Sequence, residues 1–117
     1  MSVDSKLGYD KAFDHVLRLR IMSILMVNPT YDFTSLKSLL QVTDGNLASH
    51  LRQLELATYL QVEKSFSGRK PLTTYSLTEQ GRKAFQAHLE FLENLILQNK
   101  SFKSSITNKK AENTELP

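Results

Sequence analysis

The chain has 117 residues, 40% of them hydrophobic and 23% charged, with a formal net charge of +3. These totals suit one globular domain and exclude two ordinary domains or a disordered chain, and no stretch approaches the ~18 apolar residues of a membrane helix. The absence of cysteine removes disulfides, thiolate metal ligands and cysteine nucleophiles together and fits a reducing compartment.

Met1 to Asp10 carries Asp4, Lys6 and Asp10 and no apolar run, so no secretory signal is expected and a cytoplasmic location is. Residues 1–8 read as a flexible N-terminus, and 9–98 as the folded domain. A first helix is predicted from about Tyr9 to Val27, because Phe13, Val16, Leu17, Ile21, Ile24 and Leu25 recur at three- and four-residue steps. Asn28-Pro29 ends it, since proline disfavours helical geometry in the residue before it. A short second helix follows, capped by Thr34, with Leu36, Leu39 and Leu40 on its buried side. After the brief connection Gln41-Val42, Thr43 caps a third helix running to about Ala57, with Asp44 near its positive end. Two helices joined by so short a turn make a helix-turn-helix candidate.

Beyond Tyr59 the period changes to two: Leu60, Val62 and Lys64 alternate with Gln61, Glu63 and Ser65. Ser67-Gly68-Arg69-Lys70-Pro71 is turn chemistry rich in positive charge, and Thr73, Thr74, Tyr75 and Leu77 suit a returning strand. The two runs predict a β-hairpin with a basic tip. Thr78 caps a last helix, Glu79 to about Gln98, and residues 99–117 read as a polar, disordered tail. The fold class is mainly α with a small β-hairpin, an α+β arrangement in the order of a winged helix-turn-helix.

On the third helix Leu47, Leu51 and Leu54 share one narrow face, which must be the core side. The opposite face carries Gly45, Asn46, Ser49, Arg52 and Gln53. Asn and Gln pair bidentately with adenine, Arg with guanine and Ser with either, while Gly45 permits close backbone approach. Thr43 at the cap and His50 at the edge of the apolar face join these as candidate DNA contacts; His50 is also placed to pack on a neighbouring helix. Between Leu60 and Lys83 five basic residues face two acidic ones, a surplus of three in that stretch alone. Arg69 and Lys70 at the hairpin tip suit a narrow minor groove, whose negative potential attracts such cations.

The last helix carries Phe85, Leu89, Leu92 and Ile96 in one stripe, widened by Ala84, Phe91 and Leu95. That is more apolar surface than a small domain covers, which predicts a homodimer built on Phe85, Leu89, Phe91, Leu92, Leu95 and Ile96 with Phe13 and Leu17 of the first helix. A two-fold dimer would place two recognition helices about one DNA turn apart, on an inverted repeat. His88 lies within the apolar arc and is expected to be packed or hydrogen-bonded. No nucleophile sits beside a base, no glycine loop suits phosphates and no ligand spacing suits a metal, and His15, His50 and His88 are expected to lie apart, so neither catalysis nor a cofactor is expected.

The blocks Leu19-Arg20-Ile21-Met22-Ser23-Ile24-Leu25, Asp32 to Leu36, Thr43 to Glu55, Tyr59 to Phe66, Gly68-Arg69-Lys70-Pro71, Thr73 to Thr78 and Gly81-Arg82 closely resemble winged-helix regulators related to the MarR and ArsR families. The resemblance covers about Phe13 to Leu95. It implies a dimeric bacterial or archaeal transcriptional regulator, with the third helix in the major groove of double-stranded DNA and the hairpin as wing. The cysteine sensor motifs of metal-responsive ArsR proteins are absent, and no effector is named by the residues. The alternatives are a winged-helix module that binds proteins, or a nonspecific DNA-binding protein.

Overall fold

Asp10 and His15 break the first predicted helix in two. Asp10 caps a single 3₁₀ turn, Lys11–Phe13, its carboxylate accepting the Ala12 amide. His15 then adopts extended geometry, and its Nδ1 accepts the Leu17 amide at 3.0 Å. The helix α1 therefore covers Val16–Val27 and not the span from Tyr9. Apolar periodicity runs across this break because Phe13 still packs on the same core, although its backbone is outside the helix. The computed structural model describes residues 8–99. The flexible N-terminus expected over 1–8 and the tail expected over 99–117 lie outside the described residues, apart from Gly8 and Asn99 themselves.

Asn28 is extended before Pro29, ending α1 as the proline requires. A two-residue strand β1, Tyr31–Asp32, precedes α2, Phe33–Leu40. The cap of α2 is Asp32 and not Thr34: the Asp32 carboxylate accepts the Ser35 amide at 3.0 Å. Hydrogen bonding by the Ser35 side chain and backbone holds Asp32 below the usual carboxylate range. Gln41, at φ 55°, turns the chain out of α2 in left-handed geometry. Thr43 caps α3, Asp44–Leu56, with its hydroxyl accepting the Asn46 amide at 3.2 Å.

The strands β2, Leu60–Ser67, and β3, Lys70–Leu77, form the predicted hairpin, longer than expected because only Gly68-Arg69 lie in the turn. Gly68 takes φ +65°, the positive value needed at the first position of a two-residue hairpin turn. Pro71 is tolerated one residue beyond the closing Ser67–Lys70 pair. There it faces Phe66 at a non-hydrogen-bonded position, and β1 reaches only Thr74 and Tyr75. The antiparallel sheet has the order β1-β3-β2, a third strand beyond the predicted pair. Thr78 caps α4, Glu79–Leu97.

The core joins Leu17, Ile21, Met22 and Leu25 of α1 to Leu36 and Leu40 of α2, Leu47, Leu51 and Leu54 of α3, and Leu60, Tyr75 and Phe85. Phe13 completes it, stacked on Tyr59 and edge-on to Phe85 with ring centres 5.5 and 5.3 Å away. Burial of Phe13, Leu17 and Phe85 within the chain's own core corrects the sequence reading of these three as dimer contacts: they have no surface left to offer. Val16 and Leu39, placed on buried faces by periodicity, are exposed. The architecture is a winged helix, mainly α with a small sheet. Among the described residues no helix is long and apolar enough to cross a membrane.

Candidate nucleic-acid interface

Burial of Leu47, Leu51 and Leu54 fixes the roll of α3. Three fully enclosed leucines at helical spacing leave one orientation that keeps them dry, so Gly45, Asn46, Ser49, Arg52 and Gln53 are all exposed on the outer side. The amino end of the helix is held by the Thr43 cap and by the Lys37–Asp44 ion pair at 2.8 Å, which ties α2 to the first turn of α3. Thr43 remains exposed, with its hydroxyl engaged in the cap.

The structure brings the outer face of α3 and one face of the hairpin together. Gly45, Ser49 and Arg52 line a groove whose opposite wall is Val62, Lys64 and Tyr75. Directly paired residues share a face of the sheet, so Leu60/Leu77, Val62/Tyr75, Lys64/Thr73 and Phe66/Pro71 all belong to this wall. The wall begins in the core at Leu60, becomes basic at Lys64 and ends at the exposed tip. Burial, then the charge of nearby Glu55, pushes the Tyr75 hydroxyl above its ordinary range, so it stays protonated at the groove floor. Arg69 and Lys70 are exposed at the tip, Arg69 in the turn itself. Lys64 is one of the five basic residues between Leu60 and Lys83, and it is the strand register that places it opposite Arg52.

His50 is half-buried on the flank of α3 away from the wing. Its Nδ1 lies 2.9 Å from the Arg18 guanidinium, which can only donate, so this nitrogen is the acceptor and the ring is neutral. Arg18 also donates to the Ala12 carbonyl at 2.6 Å. The His15 ring lies against His50 with centres 4.1 Å apart, which corrects the expectation that the three histidines are isolated. Burial first, then the charges of His15 and Arg18, lowers the His50 pKa. The two histidines lie 35 positions apart, and nothing local in the sequence announces their meeting.

His88 is packed and hydrogen-bonded, as expected. It is 3% exposed, accepts the Asp10 amide at 3.1 Å and meets Phe13 edge-on. Burial pushes its pKa down against the opposing pull of Asp10 and Asp14. Among the described residues no three His, Cys, Asp or Glu side chains gather as metal ligands would. The carboxyl-terminal half of α4 exposes Leu89, Leu92, Leu95 and Ile96, while Phe91 is half-buried against Tyr9.

Comparison with known proteins agrees with this geometry. Residues 17–96 match the family described as the winged helix DNA-binding domain. An uncharacterized protein of Methanocaldococcus jannaschii is 34% identical over 79 residues, covering 68% of this chain and 86% of that protein. The solved structure of a transcriptional regulator homologue from Pyrococcus horikoshii is 27% identical, with TM-score 0.70 over 79% of this chain and 91% of that one. A transcriptional regulator of the MarR family from Enterococcus faecalis shares the fold at 20% identity, with TM-score 0.67 over 92% of this chain and 94% of that one. Family and fold are those of a DNA-binding domain and not of an enzyme.

Proposed function

The chain belongs to the winged helix DNA-binding domain family, and on that premise we propose that it is a sequence-specific transcriptional regulator that binds double-stranded DNA as a homodimer. The observation that carries this reading is the groove shared by Gly45, Ser49 and Arg52 of α3 with Lys64 of the hairpin; Asn46 stands exposed on the same helix, Gln53 on its other flank beside Lys11 and Arg18, and Arg69 and Lys70 at the exposed hairpin tip. In the major groove, α3 would present Asn46 and Gln53 to adenine edges, Arg52 to guanine and Ser49 to either, with Gly45 permitting close approach. Thr43 and His50 flank the same helix near the backbone. The wing would follow the phosphates into the adjacent minor groove, where Arg69 and Lys70 meet a negative potential.

Homodimerisation is supported by α4. Its first half buries Phe85 and His88, and the same stripe continues as Leu89, Leu92, Leu95 and Ile96, which the described residues leave exposed. A second copy related by a two-fold axis would cover both stripes at once and set two recognition helices on an inverted repeat.

Selection of bound sequences from a random duplex pool, at near-physiological salt, tests the reading. The expected result is an inverted repeat. Retention of duplexes without any motif would mean a nonspecific DNA-binding protein, and no retention at all would favour a protein-interaction module; either outcome refutes the proposal.

A further inference from the structure

The groove wall has one residue that neither charge nor core packing explains. Phe66 is 72% exposed at the end of β2, paired across the hairpin with the exposed Pro71. Pairs without mutual hydrogen bonds bring their side chains closest, so the ring and the pyrrolidine form one apolar knob. Strand alternation puts this knob on the face that carries Lys64, Val62 and Tyr75, the face that looks across the groove at α3. From Glu63 to Pro71 every residue is exposed, so none of the described residues covers the tip. Arg69 lies in the turn beside the knob, Lys64 stands two residues before Phe66 on the same strand face, and Lys70, paired with Ser67, falls on the opposite face.

An apolar knob with cations on both faces of the hairpin that carries it fits a surface that is apolar in its walls and negative at its rims. A DNA minor groove has that composition: deoxyribose and base edges form the walls, phosphates the rims, and aromatic wedges are accommodated there. Resting on the DNA-binding reading, we propose that Phe66 is a DNA-contacting residue of the wing, its ring seated against the sugar wall of the minor groove with Pro71 behind it, while Arg69 and Lys70 hold the flanking phosphates. Phe66 thereby supplies affinity that depends on the width of that groove and not on salt. It also supplies preference at flanking base pairs that α3 does not reach.

The test compares wild type, Phe66→Ala, Phe66→Leu and Arg69→Ala on the selected duplex, by titration over a range of salt and by hydroxyl-radical footprinting, which reads access to the deoxyriboses. Phe66→Ala is expected to weaken binding about tenfold, the scale of a partly buried aromatic side chain, with an unchanged salt slope. It should also lose sugar protection at the outer flanks. Phe66→Leu should keep most of the affinity, and Arg69→Ala should lower the salt slope by about one. Unfolding midpoints of both Phe66 variants should stay close to wild type, because the exposed ring packs on Pro71 and not on the core. A Phe66→Ala protein with wild-type affinity and footprint overturns the proposal while leaving the DNA-binding reading in place. Loss of self-association with an unaltered footprint would put a protein on the knob and overturn it equally. Failure of the wild type to bind any duplex overturns both.

Discussion

Replacing Gly81 by alanine should destabilise the domain, although alanine is the better helix former by up to about 1 kcal/mol. Gly81 sits in the first turn of α4, where a Cβ would meet the Tyr59 carbonyl oxygen at 2.3 Å and the Tyr59 carbon and Cα at 2.9 Å. The carbonyl cannot swing away freely, because it accepts the Thr78 amide at 3.0 Å, and Thr78 donates its hydroxyl to the neighbouring Thr58 carbonyl at 2.7 Å. Opening 2.3 Å to an ordinary contact of 3.4 Å requires a backbone shift of the whole helix root. Overpacking of this kind costs typically about 1–3 kcal/mol, and the upper end applies where every obstructing atom is backbone. Set against the propensity gain, the net loss is about 2 kcal/mol.

Urea unfolding at fixed protein concentration is the assay, since dimerisation would make the midpoint concentration-dependent. With a slope of about 1–3 kcal/mol per molar, the midpoint of Gly81→Ala should fall by roughly 1 M. Gly45→Ala is the matched control: it lies in the first turn of α3, and nothing stands within 4 Å of its added Cβ. That variant should be as stable as wild type or slightly more so. A Gly81→Ala protein with an unchanged or raised midpoint would refute the reasoning, because the contact with Tyr59 would then have yielded at no cost.

Three further outcomes are expected. Asn46→Ala and Gln53→Ala should each cost roughly 1–3 kcal/mol on the selected duplex and much less on random DNA, measured by competition titration. Leu92→Glu combined with Ile96→Glu should halve the mass seen by light scattering and weaken binding to an inverted repeat by about a hundredfold or more, through loss of the second recognition helix. Because the pKa values of His50 and His88 are lowered on folding, the unfolded chain takes up more protons as pH falls below about 6.5. Stability should therefore drop from that pH downward, by at most about 1.4 kcal/mol per pH unit for each proton, and level off below the folded pKa values. Urea midpoints at pH 7.5 and 5.5 check this, and His50→Asn, which keeps an acceptor for Arg18 without titrating, should reduce the difference.

The parts of the fold legible in the sequence are those with local causes. Thr43 and Thr78 cap helices through amides three residues ahead, and Leu47, Leu51 and Leu54 declare a buried face by spacing alone. Where two residues compete for one role, position in the tertiary fold chooses: Asp32 and Thr34 can both cap, and pairing of Asp32 with Thr74 fixes the chain so that Asp32 does. A two-residue strand such as β1 carries no pattern of its own and exists only through its partner. Periodicity also cannot tell a chain's own core from a second copy's, which is why Phe13, Leu17 and Phe85 share a stripe logic with Leu89, Leu92 and Ile96 but are buried at home. For the candidate interface, the polar face of α3 and the basic tip were readable. The positions of Lys64 and Phe66 were not, since alternation gives two faces of a hairpin without saying which one looks toward α3.

The junction at Thr58 and Tyr59 connects these pieces mechanically. Helix α3 ends at Leu56 and the hairpin begins at Leu60, and between them Thr58 turns the chain at φ 66°. The root of α4 is fastened to that link by the Thr78 amide and hydroxyl and by the contact of Gly81 with Tyr59. Tyr59 in turn donates its hydroxyl to Asp10, whose amide is bound to His88 on α4, and burial followed by the Asp10 hydrogen bond raises the Tyr59 pKa so that the donor is always present. No flexible linker separates the helix that exposes the apolar stripe from the helix and wing that expose the cations. The end of α3, the start of β2 and the root of α4 therefore meet at one pair of residues, Thr58 and Tyr59, so a substitution at Gly81 strains the link between α3 and the hairpin as well as the helix it sits in.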